Sequence, residues 1–187
     1  MSKKQWKYDA TVAKYTRAIE QNPADYRAYN NRGIAHEKKG EYDLSIYDFD
    51  KAIEINPSFD SALINRGNVY QEIGKYDLSV ADFNKAIELN PENGMAYNNR
   101  GFTYMLMGRY EEAETDIRKA LELSPDNIYA LNSMSELFSA KKESEEACKW
   151  LKLAIEHGYN NWHYIKTSKT YDNLRKYACF RRLLEGR

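Results

Sequence analysis

Residues of core type fall along the chain at steps of three and four: Ala28, Tyr29, Gly33 and His36, then Tyr42, Ser45, Ile46, Phe49, Ala52 and Ile53. That spacing draws a stripe down one side of a helix and does not alternate as a strand would. Gly40 separates the two stripes, where a helix-ending residue in the left-handed region is needed, and Asn56-Pro57 closes the second. The prediction is a pair of antiparallel helices. The pair then recurs. Tyr29-Asn30-Asn31-Arg32-Gly33 returns as Leu63-Ile64-Asn65-Arg66-Gly67 and as Tyr97-Asn98-Asn99-Arg100-Gly101, and residues 26–59 and 60–93 share 17 of 34 positions without a gap. Gly74 and Gly108 repeat Gly40, and Pro91 and Pro125 repeat Pro57.

A period of this length with two helices per copy marks a stacked array, in which each copy buries its apolar face only against its neighbours. Residues 94–127 form a third copy and 128–161 a degenerate fourth that keeps Ala130, Leu131, Ala147, Leu151 and Ala154. Upstream, Tyr8, Tyr15, Ala18 and Pro23 match the second half of a copy whose first half is missing. Either residues 1–6 cover its open edge, or the chain is a fragment, or the edge pairs with another molecule. Small residues mark the expected helix crossings: Gly33 against Ser45, Gly67 against Ser79, Gly101 against Ala113.

Taken in order, Tyr29, Gly33, His36, Ser45, Phe49, Ala52 and Pro57, then Leu63, Gly67, Tyr70, Ser79, Phe83, Ala86 and Pro91, resemble the tetratricopeptide repeat (TPR) pattern, which Tyr97, Gly101, Tyr104, Ala113, Ile117, Ala120 and Pro125 meet again. The resemblance spans roughly residues 7–158. It implies an all-α fold, a right-handed α-solenoid of stacked helix-turn-helix TPR motifs with a C-terminal capping helix. The expected layout is a single TPR domain over 1–187: a half-repeat at 1–25, repeats at 26–59, 60–93, 94–127 and 128–161, and a cap at 162–187. His36 replaces a Tyr of the pattern, Ser135 a Gly and Tyr159 a Pro, the last two bearing on the geometry of the fourth repeat.

Composition narrows the function. The chain has 187 residues, and its 28 basic and 28 acidic side chains cancel, which lacks the basic footprint of a nucleic-acid coat. Residues 159–187 nevertheless carry seven basic and two acidic side chains, so the body is acidic by the same margin. No apolar run is long enough for a membrane span, and no apolar stretch follows the first lysines as in a signal peptide; with these, a cytoplasmic location is expected. Two cysteines, Cys148 and Cys179, are too few for a disulfide scaffold and suit a reducing compartment. His36, His157 and His163 lie far apart, neither cysteine has zinc-ligand spacing, and no phosphate loop or serine-nucleophile motif occurs. An enzyme, a cofactor and a metal site are therefore not expected.

Two sets of polar residues keep the 34-residue register. Arg32, Arg66 and Arg100 are each followed sixteen residues later by Asp48, Asp82 and Asp116; in the fourth copy both charges vanish together, as Met134 and Trp150. This joint change predicts an ion pair inside each repeat. Asn31, Asn65 and Asn99 occupy a position that the resemblance puts on the inner wall, where such residues form a ladder that bonds the peptide groups of an extended guest. Asn68 and Asn98 lie beside it. In the third repeat the neighbouring wall positions become apolar, Phe102 and Met105, with Tyr129 following from the fourth, which reads as a seat for an apolar anchor. The positions at which related repeats grip chaperone C-termini with Lys, Asn and Arg hold Asn30, Ile34, Asn65, Met95 and Asn99 here; only Asn65 matches, so a chaperone tail is not the expected ligand.

The sequence thus predicts a non-enzymatic scaffold or adaptor that holds a peptide of a partner protein at Asn31, Asn65, Asn68, Asn98, Asn99, Phe102, Met105 and Tyr129. One alternative is a homo-oligomer built through the open N-terminal edge. A more remote one is RNA binding, which the neutral charge and uncharged polar wall speak against.

Overall fold

A computed structural model of the chain describes residues 3–185, which fall into two compact units divided after Pro91. The first unit holds α1 (Lys3–Gln21), α2 (Tyr26–Lys39), α3 (Tyr42–Ile55), α4 (Asp60–Glu72) and α5 (Tyr76–Leu89). The second holds α6 (Gly94–Leu106), α7 (Tyr110–Leu123), α8 (Ile128–Ala140), α9 (Ser144–Glu156), the short α10 (Trp162–Thr167), a 3-10 turn (Lys169–Tyr171) and α11 (Ala178–Leu184). Within the units the hairpins α2–α3, α4–α5, α6–α7 and α8–α9 pack as pairs, α3 lies on α4, and α7 on α8. No strand occurs among the described residues.

Each hairpin turns and closes where the sequence places its punctuation. Gly40, Gly74 and Gly108 take φ of 76°, 75° and 77°, and Lys142 takes 64° at the corresponding place of the fourth repeat. Asp25, Asn93 and Asn127 cap α2, α6 and α8 by accepting backbone N–H bonds.

The crossing glycines do more than face a small residue. A Cβ at Gly33 would stand 2.8 Å from Phe49 Cε1, one at Gly67 2.8 Å from Phe83 Cε1, and one at Gly101 2.8 Å from Ile117 Cγ1. The absent side chain is the slot into which the second helix inserts its large residue. Ser45 Oγ then donates to Gly33 O at 2.8 Å. In the fourth repeat the polarity reverses: Ser135, in the glycine position, donates to Ala147 O at 2.8 Å, and Leu151 is fully buried where the Phe would be. Ser135 therefore preserves the crossing.

The ion pairs form as the joint change of charges implies. Arg32 donates to Asp48 through Nε and Nη2 at 2.8 and 2.7 Å, Arg66 to Asp82 at 2.8 and 2.6 Å, and Arg100 to Asp116 at 2.7 and 2.7 Å. Arg66 also reaches Asp50 in the preceding repeat at 2.5 Å. The aspartate raises the guanidinium pKa in each case, so these arginines stay charged. Met134 is fully buried in their place in α8, and Trp150 packs on the same core.

Of the alternatives for the N-terminal edge, covering by residues 3–6 does not occur; they lengthen α1, which packs its other side on α2. Residues 1 and 2 of that segment lie outside the described residues. Cys148 on α9 and Cys179 on α11, expected to suit a reducing compartment, are bonded to each other. Their separation of 31 residues carried no sign of proximity, because α11 turns back onto α9 only after the intervening cap. The cysteines thus give no argument for a reducing compartment.

The cap rests on a buried acid. Glu136 of α8 is 2 % exposed; its Oε1 accepts from Tyr164 Oη and from Thr170 Oγ1 at 2.6 Å, and its Oε2 from Asn132 Nδ2 at 2.9 Å. Tyr171 Oη donates to Asn132 Oδ1 at 2.8 Å. Burial pushes the Glu136 carboxyl up to about 7, against the pull of Thr170 and Tyr164.

Both the ion pairs and the buried acid are open to measurement. Asp82→Ala is expected to cost about 2 kcal/mol, less than a fully buried pair loses because Asp50 still holds Arg66; the urea midpoint reads it, and Arg66→Met with Asp82→Leu recovers most of the loss. Since Glu136 holds its proton in the folded state above the ordinary carboxyl value of 4.5, its contribution is fully present below that pH and is lost as pH rises through 7. Thermal melts from pH 5 to 8 should lose on the order of 3 kcal/mol from this group, and Glu136→Gln should flatten that slope.

Candidate functional site

The first helices of the repeats carry the inner-wall residues. In the first unit these are α2 and α4. Asn31, Asn65 and Asn68 are half-buried there, and Asn65 Nδ2 donates to Asn30 Oδ1 at 2.9 Å. The amide that Asn65 engages is thus the buried Asn30, one residue before the expected rung. Asn31 makes no hydrogen bond through its amide among the described residues. Asn68 has polar contacts of its own.

In the second unit the first helices are α6 and α8, which touch each other. Asn99 and Phe102 are half-buried, and Met95 and Tyr129 are 59 % and 66 % exposed. Met105 departs from expectation. It is only 5 % exposed and belongs to the core formed with α7, α8 and α9, so it supports the wall without presenting a surface. The apolar change at that position answers to packing. Asn98 is 8 % exposed, with Nδ2 donating to Asn99 Oδ1 at 3.3 Å. Its Oδ1 is buried and has no hydrogen-bond partner among the described residues, an arrangement folded proteins rarely tolerate.

The neighbouring repeat shows what satisfies such an atom. Asn132 of α8 stands 34 residues after Asn98, and its Oδ1 accepts the Tyr171 hydroxyl. Glu136, 34 residues after Phe102, takes Thr170 and Tyr164, while Ser139, in the register of Met105, donates Oγ to Thr170 O at 2.5 Å and its backbone O accepts from Asn173 Nδ2 at 3.0 Å. The inner wall of α8 is therefore covered by an irregular stretch of the chain's own cap, held by an amide, a carboxylate and a hydroxyl. Asn132 is expected on or beside this wall from the sequence, whereas Glu136 and Ser139 carry no such sign. Every residue of α8 from 130 to 139 is buried, its lone acid and three serines included.

Where the covered wall ends, an open one begins. Ile128, Tyr129, Tyr159, Asn160 and Asn161 line a cavity of about 380 Å³. The Tyr129 and Tyr159 rings meet edge to face at 6.4 Å between centroids, and burial raises the pKa of the Tyr159 hydroxyl. Among the described residues the lining offers amides, rings and an isoleucine and no basic group. Among the described residues no three His, Cys, Asp or Glu side chains gather as a metal site requires, and no helix is long and apolar enough to cross a membrane.

Comparison with known proteins agrees with this architecture. The tetratricopeptide repeat profile matches residues 26–59, 61–93 and 95–127. No curated protein sequence matches the chain. Among solved structures, TTC0263, a thermophilic TPR protein of Thermus thermophilus, superposes with a TM-score of 0.75 at 20 % identity, over 83 % of this chain and 86 % of that one. YrrB, described as a TPR protein with an unusual peptide-binding site, gives 0.63 at 22 % identity, over 91 % of this chain and 88 % of its own. The first TPR of Spaghetti (RPAP3), bound to the HSP90 peptide SRMEEVD, gives 0.59 at 28 % identity, over 62 % of this chain and 92 % of its own. With three tandem profile matches covering more than half of its length and these structures sharing its fold, the chain belongs to the tetratricopeptide repeat family.

Proposed function

We propose that this chain is a non-enzymatic interaction scaffold that holds a peptide segment of a partner protein on the inner wall of its repeats. The observation that carries the reading is the pair Asn98 and Asn132. The same amide, one repeat apart, is satisfied by a hydroxyl from an irregular segment in α8 and lacks a donor in α6. A guest chain lying along α6 as the cap lies along α8 supplies that donor from a backbone N–H or a hydroxyl once the Asn98 amide, whose Oδ1 is closed to solvent, turns outward. Asn99 adds a second amide beside it. Phe102, Met95 and Tyr129 receive an apolar side chain, and in the first unit Asn31, Asn65 and Asn68 present amides to an extended backbone. Peptide binding by YrrB and by the first TPR of Spaghetti supports the class of ligand. Ordering a flexible peptide opposes binding, so modest affinity is expected.

The guest differs from the chaperone tail. SRMEEVD is acidic at its end, and of the positions that would grip it only Asn65 matches, the others carrying Asn30, Ile34, Met95 and Asn99. Titration of the chain with SRMEEVD should show no binding.

Selection of short random peptides against the whole chain gives the direct test. Asn98→Ala with Asn99→Ala is expected to weaken a selected peptide about tenfold, and Tyr129→Ala by a similar factor, with the melting temperature little changed. Peptides that bind these variants as well as the parent would remove the site. The ladder in the first unit is tested separately by Asn31→Ala with Asn65→Ala.

A further inference from the structure

The second helices of the repeats share one covered face. In α3 the residues Ser45, Asp48, Phe49 and Ala52 are at most 1 % exposed. Ser79, Asp82, Phe83 and Ala86 of α5 and Ala113, Asp116, Ile117 and Ala120 of α7 are buried in the same way. The cover is always the preceding helix of the same repeat. In register, α1 offers Thr11, Lys14, Tyr15 and Ala18, but Thr11, Tyr15 and Ala18 are only half-buried and Lys14 is exposed. The opposite side of α1 is occupied by α2, where Arg32 Nη1 donates to Thr16 Oγ1 at 3.2 Å and Lys39 Nζ lies 2.8 Å from Asp9 Oδ1. One face of α1 is therefore complete and the other is a footprint without its helix.

The charge on that footprint says what fits it. At the three covered faces an aspartate meets the arginine that directly precedes the slot glycine, as Asp48 meets Arg32 before Gly33. At α1 the aspartate is replaced by Lys14, whose ammonium rests over the Tyr15 ring at 5.0 Å. The helix that suits this face carries an acid where the others carry arginine, directly before a small residue that admits Tyr15. No first helix of this chain has one: the position holds Arg32, Arg66, Arg100 and Met134. The exposed rim of α1 adds Lys7 and Arg17 against Glu20, which also opposes the basic C-terminal segment of a second copy.

We propose that the open face of α1 docks an amphipathic helix of a partner protein, one with a glutamate or aspartate immediately before a glycine or alanine. This surface is separate from the inner wall, so its fate does not depend on the peptide reading above.

The test uses two labelled peptides of residues 60–74, held helical by a side-chain lactam, one with the parent sequence and one with Arg66→Glu. Fluorescence anisotropy against the whole chain should show the Arg66→Glu peptide binding about tenfold more tightly. Lys14→Asp, which restores the residue of the other repeats, should invert that preference, and Ala18→Arg should abolish binding of both. The proposal is overturned if neither peptide binds, if the preference survives Lys14→Asp, or if light scattering finds a dimer of the free chain that Lys14→Asp disperses, which would assign the face to a second copy.

Discussion

Everything in these repeats depends on two helices coming close enough for one to lend its volume to the other. At Gly33, Gly67 and Gly101 the first helix gives up its side chain, and Phe49, Phe83 or Ile117 of the second fills the space, each wholly buried. That contact sets where the rest of the pair can meet. Sixteen residues apart, Arg and Asp then find each other with both oxygens engaged. The pair adds orientation more than net energy, since desolvation offsets much of its attraction. The fourth repeat makes the same point by dispensing with it: Met134 and Trp150 take the two positions, and the hairpin of α8 and α9 still packs.

The fold was legible in the text because its determinants are local and repeated. Gly40, Pro57, Gly33 and Phe49 each act within one hairpin, and their recurrence checks the reading three times over. The Arg–Asp pairs were legible for a different reason: the fourth copy loses both partners at once, an experiment already present in the chain. What stayed hidden is what occurs once. The bond between Cys148 and Cys179 and the contacts of Glu136 depend on how residues 159–184 return over α8 and α9, and no second copy exists to compare them with. Met105 was misplaced for a related reason. Apolar substitution on a helix reads the same whether it faces a guest or a neighbour, and only packing shows that it faces the neighbours in the core.

The cap and the open wall are two uses of one surface. In α8 the wall has an acid at the register of Phe102 and an amide at that of Asn98, and both are consumed by Tyr164, Thr170 and Tyr171. Burial of Glu136 without a cation among its hydrogen-bond partners is costly, and its raised pKa records that cost. Residues 130–139 of α8 are buried, and Tyr129 at the start of the same helix stays exposed.

Linear repeat arrays unravel from their termini, where each end unit has a neighbour on one side only. Here the sulfur–sulfur link joins α11 to α9 across 31 residues, so tension applied beyond α11 passes into the fourth hairpin by way of a covalent bond. The stretch carrying Tyr171 and Thr170 lies inside the closed ring and is shielded from that load. A pull on α11 must therefore break open a packed repeat before it can peel the last layer away.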